Sequence, residues 1–210
     1  MYRIKFGTDG WREIIADEFN NANVRRVAFA TAEWLRVQNL EQKVVIGHDC
    51  RFGGEMFAKE VATVIGSHGI QVIMAQGFVS TPMISLAANN LKAGLGIIIT
   101  ASHNPPSYNG YKIKAHYGGP ATPTTVSEVE DLIPDLEIIQ SNSFEDLVSS
   151  GIISFDSFED MYLEHCKNQF DMTALESISE GLVYDAMYGA GQRLVKRLLP
   201  KSTIIHGDYN

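Results

Sequence analysis

The sequence predicts an α/β protein: a three-layer α/β/α domain on a mixed sheet, followed by an incomplete second α/β unit. Three observations lead there. Short apolar runs alternate with segments of helical periodicity along the chain, the pattern of strands and helices taken in turn. The run LGIIIT (95–100) is continuously apolar, as expected of a central strand covered on both faces. It breaks at once into ASHNPPSYNG (101–110), dense in Asn, Pro, Ser and Gly, which is loop chemistry at a strand end.

The elements follow in order. Arg3–Phe6 reads as an opening extended run before a polar loop. Val24, Val27, Ala28, Thr31, Trp34 and Leu35 recur at spacings of three and four and mark a helix. Lys43–Asp49 reads as a buried strand. Phe57, Val61, Val64 and Ile65 stripe the next helix, with Gly69 where a cap glycine belongs. Ile70–Ala75 is a second strand. Thr81-Pro82 opens a helix, Thr as cap and Pro at the first helical position. Past the loop, Tyr111–His116 resumes as a strand, and Thr125 with Glu128 has the spacing of a capping box for a short helix ending near Pro134. Residues 135–157 read as a connection, punctuated by SNSF and SSG.

Asp156 with Glu159 resembles another capping box, ahead of a helix bearing Met161, Tyr162, His165 and Cys166. Leu182–Ala186, Tyr188–Gly191, Gln192–Leu199 and Thr203–Ile205 read as strand, glycine turn, helix and strand. The first unit is assigned to residues 1–140 and the second to 155–210, where a sheet would be left with uncovered edges.

Composition narrows the functional classes. The 210 residues are 45% hydrophobic and 20% charged, enough for a core without metals or disulfides. A formal charge of −8 argues against a general nucleic-acid binder or a polybasic membrane reader. A phosphate ester would be repelled by that field, so it would need a local cluster of Arg, Lys and backbone N–H groups. Cys50 and Cys166 lack metal-ligand spacing and read as reduced thiols. No window approaches the roughly 18 apolar residues of a spanning helix, and the N-terminus has no signal-like run. The expected compartment is the cytoplasm. Nothing in the sequence speaks to oligomeric state.

Ser102 stands just past the end of the central strand, where α/β sheets carry functional loops. Asn104-Pro105-Pro106 limits the conformations of that loop. His103 follows directly, and Lys112 and Lys114 share one face of the next strand by period two. A hydroxyl, an imidazole and two ammonium groups suit phosphoryl transfer, where positioning and charge neutralisation dominate. Read alone, the loop is equally a tight turn with a solvated serine. Arg51 either braces a carboxylate such as Asp49 or touches ligand. Gly189-Ala190-Gly191 is a bare G-x-G, weak as a dinucleotide signal because Leu194 replaces the third glycine.

Five segments in this order, FGTDGWR (6–12), GHDCR (47–51), STP (80–82), TASHNP (100–105) and YNGYK (108–112), closely resemble the first domain of the α-D-phosphohexomutases, the phosphoglucomutase/phosphomannomutase superfamily. DAMYGAG (185–191) is similar to the opening of that family's second domain. The resemblance implies that Ser102 carries a phosphoryl group and passes it to a hexose phosphate, glucose or mannose, through a bisphosphate. It further implies that Mg²⁺ bridges the phosphoserine and aspartates lying beyond this chain. Ser102 is then the one metal-contacting position here, while His103, Lys112 and Arg12 match positions of proton transfer and charge stabilisation. No Asp-x-Asp-x-Asp string occurs, so the chain is expected to be a truncated front end with little activity alone. The alternative is a non-catalytic sugar-phosphate-binding or regulatory fragment.

Overall fold

The structure, a computed structural model, describes residues 2–7 and 10–208. Thr8 and Asp9 of the FGTDGWR segment, and the closing Tyr209 and Asn210, lie outside the described residues.

Six strands form one mixed sheet: β1 (Trp11–Ile14), β2 (Lys43–His48), β3 (Gln71–Ala75), β4 (Leu95–Ile99), β5 (Tyr108–Ala115) and β6 (Ile153–Asp156), in the order β1-β5-β4-β2-β3-β6. β2, β3, β4 and β6 run parallel, while β5 is antiparallel to both β4 and β1. The continuous apolar run explains why β4 is central: all five of its residues are buried. Leu95, Ile97 and Ile99 face one core, and Ile98 faces the other.

The first core is covered by α1 (Asn21–Val37) and α2 (Gly54–Ser67), which bury Val24, Val27, Leu35, Phe57, Val61 and Ile65. α1 starts where the Asn20 side chain accepts the N–H of Asn23. α2 ends ahead of Gly69, whose φ of +76° is the left-handed turn expected of a cap glycine. α4 (Pro123–Asp131) and α5 (Phe144–Ser149) add Val129 and Leu147 to this side. On the opposite face lie α3 (Thr81–Asn90) and α6 (Phe158–Gln169), contributing Met83, Ile84, Phe158 and Leu163. The three predicted layers are therefore present.

Within the 155–210 span assigned to a second unit, α6 packs on the first sheet, and α7 (Met172–Ile178), β7 (Val183–Asp185), α8 (Gln192–Leu198) and β8 (Thr203–Ile205) form the remainder, with β7 and β8 paired parallel in a sheet of their own. That remainder docks on the first unit through α8. Leu194 enters the second core, and Glu159 of α6 accepts from Arg193 Nε and Arg197 Nη1, both at 2.8 Å.

Several expectations are corrected. Arg3–Phe6 is not a strand; the Phe6 N–H donates to a Glu130 carboxylate instead of a ladder partner. The first strand is β1, inside the stretch read as polar loop. β5 begins at Tyr108, three residues before the predicted start. Three helix caps shift. Ser80, not Thr81, precedes α3 and makes no side-chain cap bond. Thr122 Oγ1 accepts the N–H of Thr125, so Thr125 lies within α4 and is not its cap. Ser157, not Asp156, caps α6 through the N–H of Asp160. Residues 135–157 are more than a connection, since they hold α5 and β6, the sixth strand of the sheet.

Candidate active site

Whereas Phe6 and Gly7 lie apart beside α4, segments 47–51, 80–82 and 100–105 meet at one end of the sheet, beyond the carboxyl ends of β2 and β4 and the start of β5, and Arg12 reaches that end from β1. A cleft of about 660 Å³ opens there, lined among others by Asp49, Arg51, Thr100, Ser102 and Asn104, with Ser80 ahead of α3 and Met187–Ala190 from the turn after β7. Ser102 and His103 are exposed. The Ser102 hydroxyl lies 3.4 Å from His103 Nδ1. That is a long contact, within what an unliganded acid–base pair shows. Ser102 has φ +58°, the left-handed region that costs a non-glycine residue about 1 kcal/mol.

Tertiary contacts on both sides hold this conformation. Thr100 Oγ1 accepts the Ser102 N–H at 3.1 Å and donates its own proton to Asp49 Oδ2. Arg51 then gathers the carbonyls of the loop. Its Nη2 donates to Ser102 O at 2.9 Å and Asn104 O at 2.6 Å, and its Nη1 to Pro105 O at 2.8 Å and Tyr108 O at 2.9 Å. Nε faces Asp49 Oδ2 at 3.6 Å. Asp49 Oδ1 also accepts the Arg51 backbone N–H. Arg51 thus braces the loop as well as Asp49.

Arg12 reaches the same loop from the sheet edge. The β1–β5 register sets Arg12 against Gly110, and its Nη1 donates to Asn104 Oδ1 at 2.8 Å. Gly110 makes this approach possible. A Cβ there would stand 2.6 Å from Thr100 O, 2.8 Å from Trp11 O and 2.9 Å from the Arg12 stem. Lys112 lies two residues further along β5, opposite Ile98, and is only 5% exposed. Its stem packs at the Gly10 backbone, and Lys114 follows on the same face against Gly96. Arg12 therefore bonds directly to the serine loop, while Lys112 stands behind it on the strand that leaves it.

Sequence reasoning missed two features. Asp49 and Thr100 are linked across 51 positions, and the GHDCR segment was the signal available. The turn after β7 was read only as glycine-rich, yet Met187 and Tyr188 have φ of +47° and +55° and form the far wall of the cleft. Asp185 Oδ1 braces that turn, accepting the Met187 N–H and sitting 2.9 Å from His206 Nδ1, which holds the Asp185 carboxyl below its usual range. Cys50 also lines the cleft. Burial, reinforced by the Asp49 charge, pushes its thiol up to about 11, so it is protonated and a poor nucleophile at neutral pH. Among the described residues no three His, Cys, Asp or Glu side chains gather to hold a metal ion.

An exposed serine on a loop held by Arg12 and Arg51, at the carboxyl edge of a mixed α/β sheet, defines a domain that presents that hydroxyl at the mouth of a cleft. The chain belongs to the phosphoglucomutase/phosphomannomutase family, and residues 3–138 match its alpha/beta/alpha domain I. A phosphoglucomutase of Staphylococcus saprophyticus is 31% identical over 204 residues, covering 93% of this chain and 37% of the relative. A phosphoglucomutase/phosphomannomutase of Thermococcus kodakarensis is 32% identical over 197 residues, covering 92% and 42%. A solved structure from Thermus thermophilus, assigned as a phosphomannomutase, superposes with a TM-score of 0.89 at 32% identity, over all of this chain and 47% of that one. The chain thus spans less than half the length of the curated relatives it matches.

Proposed function

We propose that this chain is the phosphoserine-bearing part of a phosphohexomutase that interconverts hexose 1-phosphate and hexose 6-phosphate, glucose or mannose. Family membership supports the reaction class, and the presentation of Ser102 in the cleft is the observation that carries the reading. In the first half-reaction a sugar hydroxyl oxygen attacks the phosphorus of phosphorylated Ser102, the P–Oγ bond breaks, and the hydroxyl proton leaves to a base. In the second, Ser102 Oγ attacks the phosphorus at the other end of the bisphosphate, the P–O bond to the sugar breaks, and the proton returns to the sugar oxygen. His103, beside Oγ, is placed to take and return that proton. Ser102 Oγ later recovers a phosphoryl group from the other end of the bisphosphate, so it stores the group between steps.

Phosphoserine brings nearly two negative charges and the ester about two more, a repulsion of several kcal/mol at an effective dielectric near 20. Arg12 and Lys112 are the cations proposed to offset it. A bound magnesium ion would supply further neutralisation of the phosphoryl oxygens. Magnesium takes six oxygens in near-octahedral geometry, and among the described residues Ser102 offers a single one without a carboxylate cluster beside it. These residues alone do not make its site, and no step is assigned to it. For the same reason the 210 residues by themselves are expected to turn over hexose phosphates negligibly. No helix among the described residues is long and apolar enough to cross a membrane. The two free cysteines suit a reducing compartment, which we take to be the cytoplasm.

Intact-mass analysis after incubation with a hexose 1,6-bisphosphate tests the reading. One added phosphate, mapped to Ser102 and missing from Ser102→Ala, is the expected result. A chain that takes no phosphate, or takes it elsewhere, contradicts it and favours a sugar-phosphate-binding fragment. That alternative draws on the missing carboxylate cluster.

A further inference from the structure

We infer that Arg51 is the positioning residue of the serine loop: locked to Asp49, its guanidinium holds Ser102 in the left-handed conformation that presents the hydroxyl to the cleft. The inference rests on the reading of Ser102 as phosphoryl carrier and adds how that carrier is kept in place.

The donor count of the guanidinium favours a bracing role over direct contact with ligand. Arginine has five N–H donors in a fixed planar fork. Four are spent on the carbonyls of Ser102, Asn104, Pro105 and Tyr108, and the fifth faces Asp49. Only Nε remains, turned toward the Asp49 carboxylate at 3.6 Å, beyond hydrogen-bond range. The four carbonyls come from a loop that two prolines keep from making its own ladder bonds, since Pro105 and Pro106 carry no N–H.

The contacts close into a ring around Ser102. On its amino side the chain runs from the Ser102 N–H to Thr100 Oγ1 and on to Asp49 Oδ2. On its carboxyl side Ser102 O accepts from Arg51, which returns to Asp49. Both peptide groups flanking the strained residue are therefore tied to one ion pair. With the Ser102 carbonyl drawn back to Arg51, the His103 N–H on the other side of the same trans peptide points away from the guanidinium. The ring also explains the GHDCR segment. Asp49 and Arg51 leave β2 side by side, next to β4, so the parallel register delivers them to the foot of the loop.

Lysine keeps the charge but has a point-like head that cannot span four carbonyls. Arg51→Lys therefore separates a positional role from simple attraction of phosphate. In the 210-residue chain, Arg51→Lys is expected to lower the rate of phosphate uptake at Ser102 by about 100-fold, the loss that a displacement near 1 Å brings. It is also expected to speed amide exchange at Ser102, Asn104 and Tyr108, whose N–H groups bond Thr100 Oγ1, Ala101 O and Pro105 O, while β2 and β4 stay protected. Added guanidinium, but not ammonium, should restore part of the uptake to Arg51→Ala. Should the Arg51 variants not fold, Thr100→Val cuts the ring on its other side and should also speed exchange in the loop. Arg51→Lys with wild-type uptake and unchanged loop exchange overturns the inference. If the wild-type chain takes no phosphate, the carrier reading fails, and loop exchange in Arg51→Lys still decides the role of Arg51, faster supporting it and unchanged overturning it.

Discussion

Ser102 combines two properties that seldom coincide: exposure and a left-handed backbone on a side chain with a β-carbon. Because it is exposed, its hydroxyl contributes almost nothing to the core, and the strain is absorbed by the Asp49, Thr100 and Arg51 contacts around it. Substitution at this position should therefore be read through backbone conformation, not burial. Ser102→Ala is expected to stay within about 0.5 kcal/mol of the parent in urea unfolding while losing phosphate uptake. Ser102→Val should cost about 1–2 kcal/mol, because a β-branched residue resists positive φ. Equal stability of the two variants would mean that the left-handed conformation is not held in solution. The pairing of Ser102 with its loop was visible in the sequence as a serine at a strand end. Its conformation was not, since that depends on partners half a domain away.

At the level of elements, the site depends on how closely β1, β5 and the end of β4 approach one another. Gly110 is the narrowest point of that packing, with backbone oxygens on two sides of its missing side chain. Gly110→Ala should therefore destabilise the protein by about 1–3 kcal/mol and push Arg12 away from Asn104. Urea unfolding together with exchange of the loop amides would show both effects, and an alanine variant as stable as the parent would contradict the packing described. Docking of the second unit depends on a different element pair, α6 with α8. Glu159 is 8% exposed and accepts from two arginines, whereas the Asp160 side chain is largely in solvent. Both arginines are themselves 40% exposed, so screening reduces the interaction. Glu159→Ala is expected to lower stability by about 1–2 kcal/mol, and Asp160→Ala by less. Matching urea midpoints for the two variants would show that this contact does not anchor α8.

For the whole molecule, five buried or half-buried acids, Tyr2, Cys50, Tyr111, Tyr162 and Cys166, have raised values, with burial the leading cause in each. Cys50 is pushed up to about 11 and Tyr2 to about 12, and Cys166 and Tyr111 are raised as well. Each favours the neutral form in the fold, so the stability it contributes is complete below the ordinary values of 9.0 for cysteine and 10.0 for tyrosine. That stability is lost as pH rises through the folded values. The urea midpoint should hold steady to about pH 8.5 and fall between pH 9 and 12, with Cys50→Ala removing the earliest part of the fall. A midpoint unchanged at pH 11 would contradict these environments. What the sequence determined by itself was what short-range patterning carries. It announced the alternation of layers, the buried centre at 95–100, the helix stripes and the loop at 101–110, because periodicity and turn chemistry act over a few residues. Weak, short edge strands escaped it: β1 buries only Trp11, and β6 leaves Phe155 half in water. Tertiary structure alone decided the conformation of Ser102 and the use of Arg51 as a clamp on the serine loop. Those depend on hydrogen bonds between residues some fifty positions apart, and only the register of parallel strands brings such partners within 3 Å.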